Sequence, residues 1–396
     1  GLHSEFTYDD KVEVIGNETV RAASDWQSIL AYNWSRPLVL SSFALNYQIG
    51  GIDPFSYHLV NLGLQIANAG LALLVLTQWL QLARIPNALF LSFSAAALWA
   101  IHPLATESVI YVTGRSELMV GFFALYGCWL WNRWLAHGGF LLYWGAWMAV
   151  IAAGLCKESA AVLPLIYWFT VRFLRPKDNP GPSQWVVMLP GFAMFIGYAG
   201  LRWVLEGTLG HPNPQRDLDT QILTQLEVLW VYARLAILPI GQSVFHDYPE
   251  AQFSLRSILS GMSLLGLAIY GFRKRHSDPI PVFAALFFLL WMSPTFFIPL
   301  KETMAEHRTY MGLLGLALLA AYGLSAFALN IQRIASCLSI AMLLALCIAR
   351  SHVWKTEIRL WEDAAAKSPD SAEAHYGVGE AHFYSAAQMD LSEKER

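Results

Sequence analysis

The chain has 396 residues, of which 56% are hydrophobic and only 14% charged, where a soluble domain of this size carries roughly a quarter. Mean hydropathy is +0.41, which excludes an ordinary soluble protein. The net charge of −3, without a dense basic stripe, gives no nucleic-acid partner.

The chain opens on Gly1 with no Met and no basic leader. Its start therefore reads as cut, with an upstream helix expected. Residues 1–56 mix polar and apolar positions and read as an external loop with short helices. This loop carries Tyr8-Asp9-Asp10, two adjacent carboxylates just outside the first apolar segment. At a membrane surface such a pair can take a proton from a hydroxyl, hold a metal, or simply be solvated. Ser35-Arg36-Pro37-Leu38 follows. Arg36 is either a partner for a phosphate or the Asp pair, or an ordinary interfacial arginine.

Apolar segments of membrane-crossing length then recur at about 57–81, 86–103, 117–135, 139–155, 158–174, 184–204, 257–272, 279–299, 307–328 and 333–350. They predict an all-α, polytopic bundle over 57–350. Sixteen Trp and sixteen Tyr suit the aromatic belts of such proteins. Cys128, Cys156, Cys337 and Cys347 lie in or beside these segments without C-x-x-C spacing. They read as packing residues, with no disulfide framework or zinc site. Residues 221–245 are apolar but carry Glu227 and Arg234, so they read as a span, a re-entrant segment or an interfacial helix. The basic clusters Arg172/Arg175/Lys177, Arg273/Lys274/Arg275 and Arg333 should face the cytoplasm. That leaves 1–56, 104–116, 205–256, 300–306 and everything after 350 outside, provided 221–245 does not cross or crosses twice.

Further polar groups fall on this predicted outer side. His102-Pro103-Leu104-Ala105-Thr106-Glu107, followed by Tyr111 and Thr113-Gly114-Arg115-Ser116-Glu117, builds a polar rim where a helix ends. Its plain alternative is helix-end punctuation with Glu107 paired to Arg115. Cys156-Lys157-Glu158-Ser159 interrupts an apolar run, either as functional charges or as a self-neutralising turn. Lys301-Glu302-Thr303-Met304-Ala305-Glu306-His307-Arg308-Thr309-Tyr310 gathers cations able to hold a lipid-linked phosphate, or forms a charged outer loop. His58 with Asn61, and His246-Asp247-Tyr248-Pro249, are weaker features that also suit capping or turns. After Arg350 the pattern becomes soluble and amphipathic. Residues 351–396 resemble the first helices of a tetratricopeptide (TPR) array, which needs about three repeats to be stable, so further repeats are expected beyond the abrupt end.

The order of these motifs resembles the transmembrane and TPR-containing O-mannosyltransferase (TMTC) family and its prokaryotic relatives. It is carried by Tyr8-Asp9-Asp10, Arg36-Pro37-Leu38, Asn46-Tyr47, Gly50-Gly51-x-Asp53-Pro54 and Tyr57-His58-x-x-Asn61. His102-Pro103-x-x-Thr106-Glu107, Gly114-Arg115-Ser116-Glu117-Leu118, Lys157-Glu158 and Glu306-x-Arg308-x-Tyr310 continue it. The resemblance implies a GT-C type membrane glycosyltransferase using a polyprenyl-phosphate sugar, dolichyl or undecaprenyl in type, on a hydroxyl acceptor such as protein Ser/Thr. It implies that Asp9 or Asp10 is the catalytic base. His307 departs from the eukaryotic pattern, and the short loops suggest a bacterial or archaeal protein. The expected roles are then Asp9 and Asp10 as base and helper, with Arg308, His307, Lys301 and Arg115 on the donor phosphate. Glu107, Glu306, His102, Arg36, Lys157, Glu158 and Tyr310 would be orienting or accessory. The outer face would be periplasmic or extracellular, or the lumen of the endoplasmic reticulum. No cofactor is required by the sequence, and no full ligand set accompanies the Asp pair for a divalent metal. Two other classes remain: a non-catalytic membrane-anchored TPR scaffold and a lipid-linked-sugar transporter.

Overall fold

The computed structural model of the chain describes residues 1–21, 25–175, 182–208, 214–275 and 277–394. Lys177 of the first basic cluster lies outside them, as do 395–396. Regular structure among the described residues is helical throughout, with no strand, as the apolar periodicity predicts. Lipid offers the backbone no hydrogen-bond partners, so a spanning segment must satisfy its own N–H and C=O groups within a helix.

Among the described residues five helices are long and apolar enough to cross a membrane: Pro54–Leu82, Gln184–Glu206, Leu255–Lys274, Pro279–Phe296 and Leu329–Val353. A sixth candidate is the pair Ala88–Ala100 and Pro103–Ile110, bent by 53°. The bend falls at Pro103, which lacks the N–H that would continue the ladder. His102 caps the new start, accepting from the Leu104 backbone N–H at Nδ1 (3.1 Å). Ten spans were expected. The 158–174 segment is instead broken into a 3-10 turn Glu158–Val162, a helix Leu163–Phe169 and a π turn Thr170–Leu174. Gly312–Leu324, expected to cross over 307–328, is 13 residues long. At 1.5 Å per residue that is about 20 Å, short of the roughly 30 Å of hydrocarbon. The segment is buried against its neighbours.

The ambiguous 221–245 stretch forms Leu218–Ile237, which lies along one end of the bundle. Polar groups hold it there along its length. Gln221 Nε2 donates to Thr295 O (2.5 Å), Gln225 Nε2 to Thr303 O (2.8 Å) and Tyr232 Oη to Ala305 O (2.9 Å). Near its far end His102 Nε2 donates to Ala236 O (3.0 Å). The Gln225 and Tyr232 donors satisfy carbonyls of the irregular 303–305 stretch, and His102 satisfies one in the last turn of the helix. This helix is not among those apolar enough to cross a membrane, and its bonds join it to the 295–305 and 101–105 segments. The basic positions Arg172, Arg273, Lys274 and Arg333 fall at the other ends of their helices.

Inside the bundle, shape and hydrogen bonding hold the helices, since lipid tails are as apolar as the side chains. Tyr310 Oη donates to Gln65 Oε1 (2.5 Å) and accepts from Asn68 Nδ2 (2.9 Å), and its carbonyl accepts from Trp99 Nε1 (2.7 Å). One residue thereby ties Pro54–Leu82, Ala88–Ala100 and the 306–311 segment. A Cβ at Gly315 would stand 2.5 Å from the Ala284 carbonyl oxygen, so the Pro279–Met292 and Gly312–Leu324 backbones touch where no side chain fits. Beyond the bundle, Glu357–Lys367 and Ala372–Lys394 pack as a helical hairpin, with Gly377 against the Trp361 ring. Gly315→Val is expected to lower the thermal midpoint of the purified protein, at an overpacking cost of about 1–3 kcal/mol, as read by a tryptophan-fluorescence melt in detergent.

Candidate active site

The two acids of the N-terminal loop do different jobs. Asp10 is fully buried. Its Oδ2 accepts from the backbone N–H groups of Thr7 (3.1 Å) and Val112 (3.4 Å), and its Oδ1 from that of Thr113 (2.8 Å). It pins residues 7–10 onto the 111–114 turn. Burial outweighs these bonds and pushes its carboxyl up to about 7. Asp9 turns outward and is exposed. Its backbone N–H donates to Tyr111 Oη (3.1 Å). Partial desolvation, followed by the Glu302 charge, raises its carboxyl pKa, against the pull of Tyr111, His307 and Lys301.

Asp9 lines a cavity of about 150 Å³ with Glu13, Arg36, Tyr111, Lys157 and His307 among the walls. Each basic side chain there has one carboxylate partner. Arg36 Nη2 donates to both oxygens of Glu158 (3.0 and 3.3 Å), and Lys157 pairs with Glu117. His307 Nδ1 meets Glu107 Oε1 at 2.6 Å. Burial would raise Glu158, but Arg36 and Lys157 overcome it and hold the carboxyl down to about 2. Arg36 is raised by the same Glu158 charge. Burial, and then the Lys157 charge, lower His307. Beyond the Arg36–Glu158 pair, on the Glu158 side, lies a second space, an apolar groove of about 790 Å³. Glu158 lines it, together with Trp34, Pro37, Leu155, Phe195 and Leu201.

The structure leaves several expected phosphate ligands elsewhere. Arg115 is fully buried and does not reach the cavity. It donates to Asn61 Oδ1 (2.8 Å), Asn46 Oδ1 (2.9 Å), Tyr57 O (3.1 Å) and Ser42 O (3.2 Å), beneath the Phe43 ring. Its fork is filled by the protein, so it serves as a hub between helices. Lys301 is 64% exposed and pairs with Glu373 (2.8 Å). Arg308 bonds Glu302 through its carbonyl (3.0 Å) and carboxylate (3.4 Å), outside the cavity lining. Glu306, also buried, receives Gln242 Nε2 (3.1 Å), the Ser243 N–H (2.8 Å) and His246 Nε2 (2.7 Å). It anchors the 242–246 segment. His102 has both ring nitrogens engaged in the helix bend, and Tyr310 belongs to the bundle interior. Of the expected residues, the cavity gathers Asp9, Arg36, Lys157 and His307, with Glu107 and Glu158 as direct partners.

Glu13 was missed. It stands four residues after Asp9 in the Lys11–Ile15 turn, a spacing that places both on one face, so helical periodicity was the available signal. Among the described residues no group of three or more His, Cys, Asp or Glu converges to hold a metal ion.

Two outcomes follow from these placements. Arg115→Lys cannot fill four acceptors on three sides and is expected to lower the unfolding free energy by at least about 2 kcal/mol, measured as a fall in thermal midpoint. Asp10 has a folded pKa above its unfolded value of about 3.9. Its contribution is therefore full below pH 4 and is lost as pH rises through about 7. The midpoint of the wild type relative to Asp10→Asn is expected to improve as pH falls from 7 to 4, and a flat difference would contradict the burial argument.

No protein-family model matches the chain, and no solved structure matches it. Curated relatives do. The protein O-mannosyl-transferase F38B6.6 of Caenorhabditis elegans is 24% identical over 99% of this chain and 61% of its own length. The protein O-mannosyl-transferase TMTC4 of Homo sapiens is 25% identical over 95% and 61%. Tmtc1 of Drosophila melanogaster reaches 33% over 42% of this chain and 20% of its own length. The chain spans about three fifths of the length of the first two relatives. The motif order read from the sequence and these similarities agree: over nearly its whole length, this membrane protein is a relative of proteins named protein O-mannosyl-transferases of the TMTC family.

Proposed function

We propose that this chain is a membrane glycosyltransferase that moves a sugar, mannose in the first instance, from a polyprenyl-phosphate carrier to a protein Ser or Thr hydroxyl, with inversion. The observation that carries this reading is the sharing of one small cavity by an outward-facing acid, Asp9, and the cations Arg36 and Lys157, beside a long apolar groove. A polyprenyl-phosphate sugar has that layout: an apolar tail, a charged phosphate and one polar ring.

In the reaction Asp9 accepts the proton of the acceptor hydroxyl as general base. The oxygen attacks the anomeric carbon, a new glycosidic C–O bond forms, and the bond from that carbon to the phosphate oxygen breaks. The electron pair leaves with the polyprenyl phosphate. Arg36 and Lys157 meet this charge by exchanging Glu158 and Glu117 for phosphate oxygens, and His307 lies on the same wall. Fixed charges aimed at a developing anion are commonly the largest catalytic contribution. Asp10 acts as the pin that holds Asp9 in place, and the phosphate falls to Arg36, Lys157 and His307 rather than to Lys301, Arg308 or Arg115. The carrier tail lies in the groove. The basic positions at the opposite end favour an outward-facing cavity by the positive-inside bias. The hairpin after 356 gathers the acceptor polypeptide, raising its effective concentration.

The test is transfer from a short-chain polyprenyl-phosphate mannose to a Ser/Thr peptide by the protein in nanodiscs, followed by mass spectrometry. Asp9→Asn is expected to lose about 10²–10⁴-fold in rate. Arg36→Met and Lys157→Met are each expected to lose about 10–100-fold in kcat/KM, the value of one charge-assisted contact. The wild-type rate should fall in acid with a midpoint above the ordinary carboxylate value of about 3.9. Wild-type turnover in Asp9→Asn would end the assignment.

A further inference from the structure

Tyr8 is one of three non-glycine residues with positive φ among the described residues, at 53°. This is a conformation that bulky side chains avoid and that persists only where surroundings impose it. Here the surroundings are three distant segments. The Tyr8 ring packs edge-on against Trp361 of the C-terminal hairpin (5.6 Å) and tilts against Tyr111 (6.2 Å). Its Oη donates to Glu302 Oε1 (3.2 Å) and its N–H to Glu357 Oε1 (3.3 Å). Glu302 in turn receives Arg308, and Glu357 pairs with Lys11.

The next residue is Asp9. A residue that merely filled space would need neither a left-handed backbone nor a hydroxyl on a carboxylate. We propose that Tyr8 is the positioning residue for Asp9, and that the Glu357–Lys367 and Ala372–Lys394 hairpin sets the aim of that acid through it. The inference rests on the reading of Asp9 as the base. With the hairpin seated, Trp361 and Glu357 hold Tyr8 in its strained conformation, and the chain leaves it pointing Asp9 into the cavity. Displacing the hairpin releases Tyr8 toward ordinary extended backbone, which turns Asp9 away. The segment that follows the bundle is thereby coupled to the chemistry at its surface.

The experiment uses the full chain in nanodiscs with two readouts. In amide hydrogen exchange, Trp361→Ala is expected to speed exchange across 7–13 about tenfold while leaving 115–137 unchanged. Glu357→Gln, which keeps the hairpin packing, is expected to do the same to a smaller degree. Unchanged exchange across 7–13 in both variants overturns the proposal. In transfer from short-chain polyprenyl-phosphate mannose, Tyr8→Phe keeps the ring and loses the Glu302 bond. It is expected to lower kcat about tenfold, leave the donor KM unchanged, and move the acid limb of the rate profile to lower pH as Glu302 swings from Asp9. A lower rate with an unmoved limb, or a raised donor KM, makes Tyr8 a packing residue and also overturns the proposal. If the wild type transfers no sugar yet exchange responds as stated, the coupling stands and the transferase reading falls.

Discussion

The joint on which the rest depends is the buried Asp10 carboxylate and the three backbone N–H groups it receives from Thr7, Val112 and Thr113. It fastens a loop at the start of the chain to a turn a hundred residues later. Without it, neither Asp9 nor Tyr8 has a fixed place. A fully buried carboxylate is tolerated only because donors surround it, and the backbone supplies donors that no side-chain substitution can remove. The same joint brings Tyr111 under the Asp9 amide, so one buried acid orients the exposed one.

Around that joint the charges are balanced in pairs. Arg36 with Glu158 and Lys157 with Glu117 are ion pairs, while His307, whose pKa burial lowers, meets Glu107 as an uncharged ring. Such pairing holds long cations in place before a ligand arrives, which lowers the ordering cost of binding. The carboxylates also make the wall selective. On the proposed reading an incoming group must offer more than one carboxylate already offers, and a phosphate would do so by its charge and its several oxygens. The apolar groove lined in part by Glu158 would, on the proposed reading, take the hydrocarbon portion of the donor.

The membrane core works by another rule. The Tyr310 cluster with Gln65, Asn68 and Trp99 and the Arg115 hub with Asn46 and Asn61 place polar groups where the bilayer cannot solvate them. Each therefore finds a partner on another helix. These partners explain why Arg115 of the expected rim holds helices together, while Tyr111, Thr113 and Ser116 of the same rim line the cavity.

Much of the helical architecture was legible in the sequence, because hydropathy and length reflect a solvent that is uniform along each segment. The class, the Pro54–Leu82 and Leu329–Val353 helices, the bend at Pro103 and the acidic loop were all readable. The number of full-length spans was not, since a short helix such as Gly312–Leu324 has the composition of a span and differs only in what covers it. The site was legible as residue types and illegible as roles. Asp9 and Asp10 are identical neighbours in the chain, and a loop turn of one residue sends one into the core and the other to the cavity. Arg115, Lys301 and Arg308 carry the same charge as Arg36 and Lys157, but the first two take partners more than fifty residues away and Arg308 takes Glu302 in its own loop. Local sequence determines which groups can bear charge in this protein. Only the tertiary structure decides which of those charges are already spoken for, because that depends on donors and acceptors brought together from remote parts of the chain.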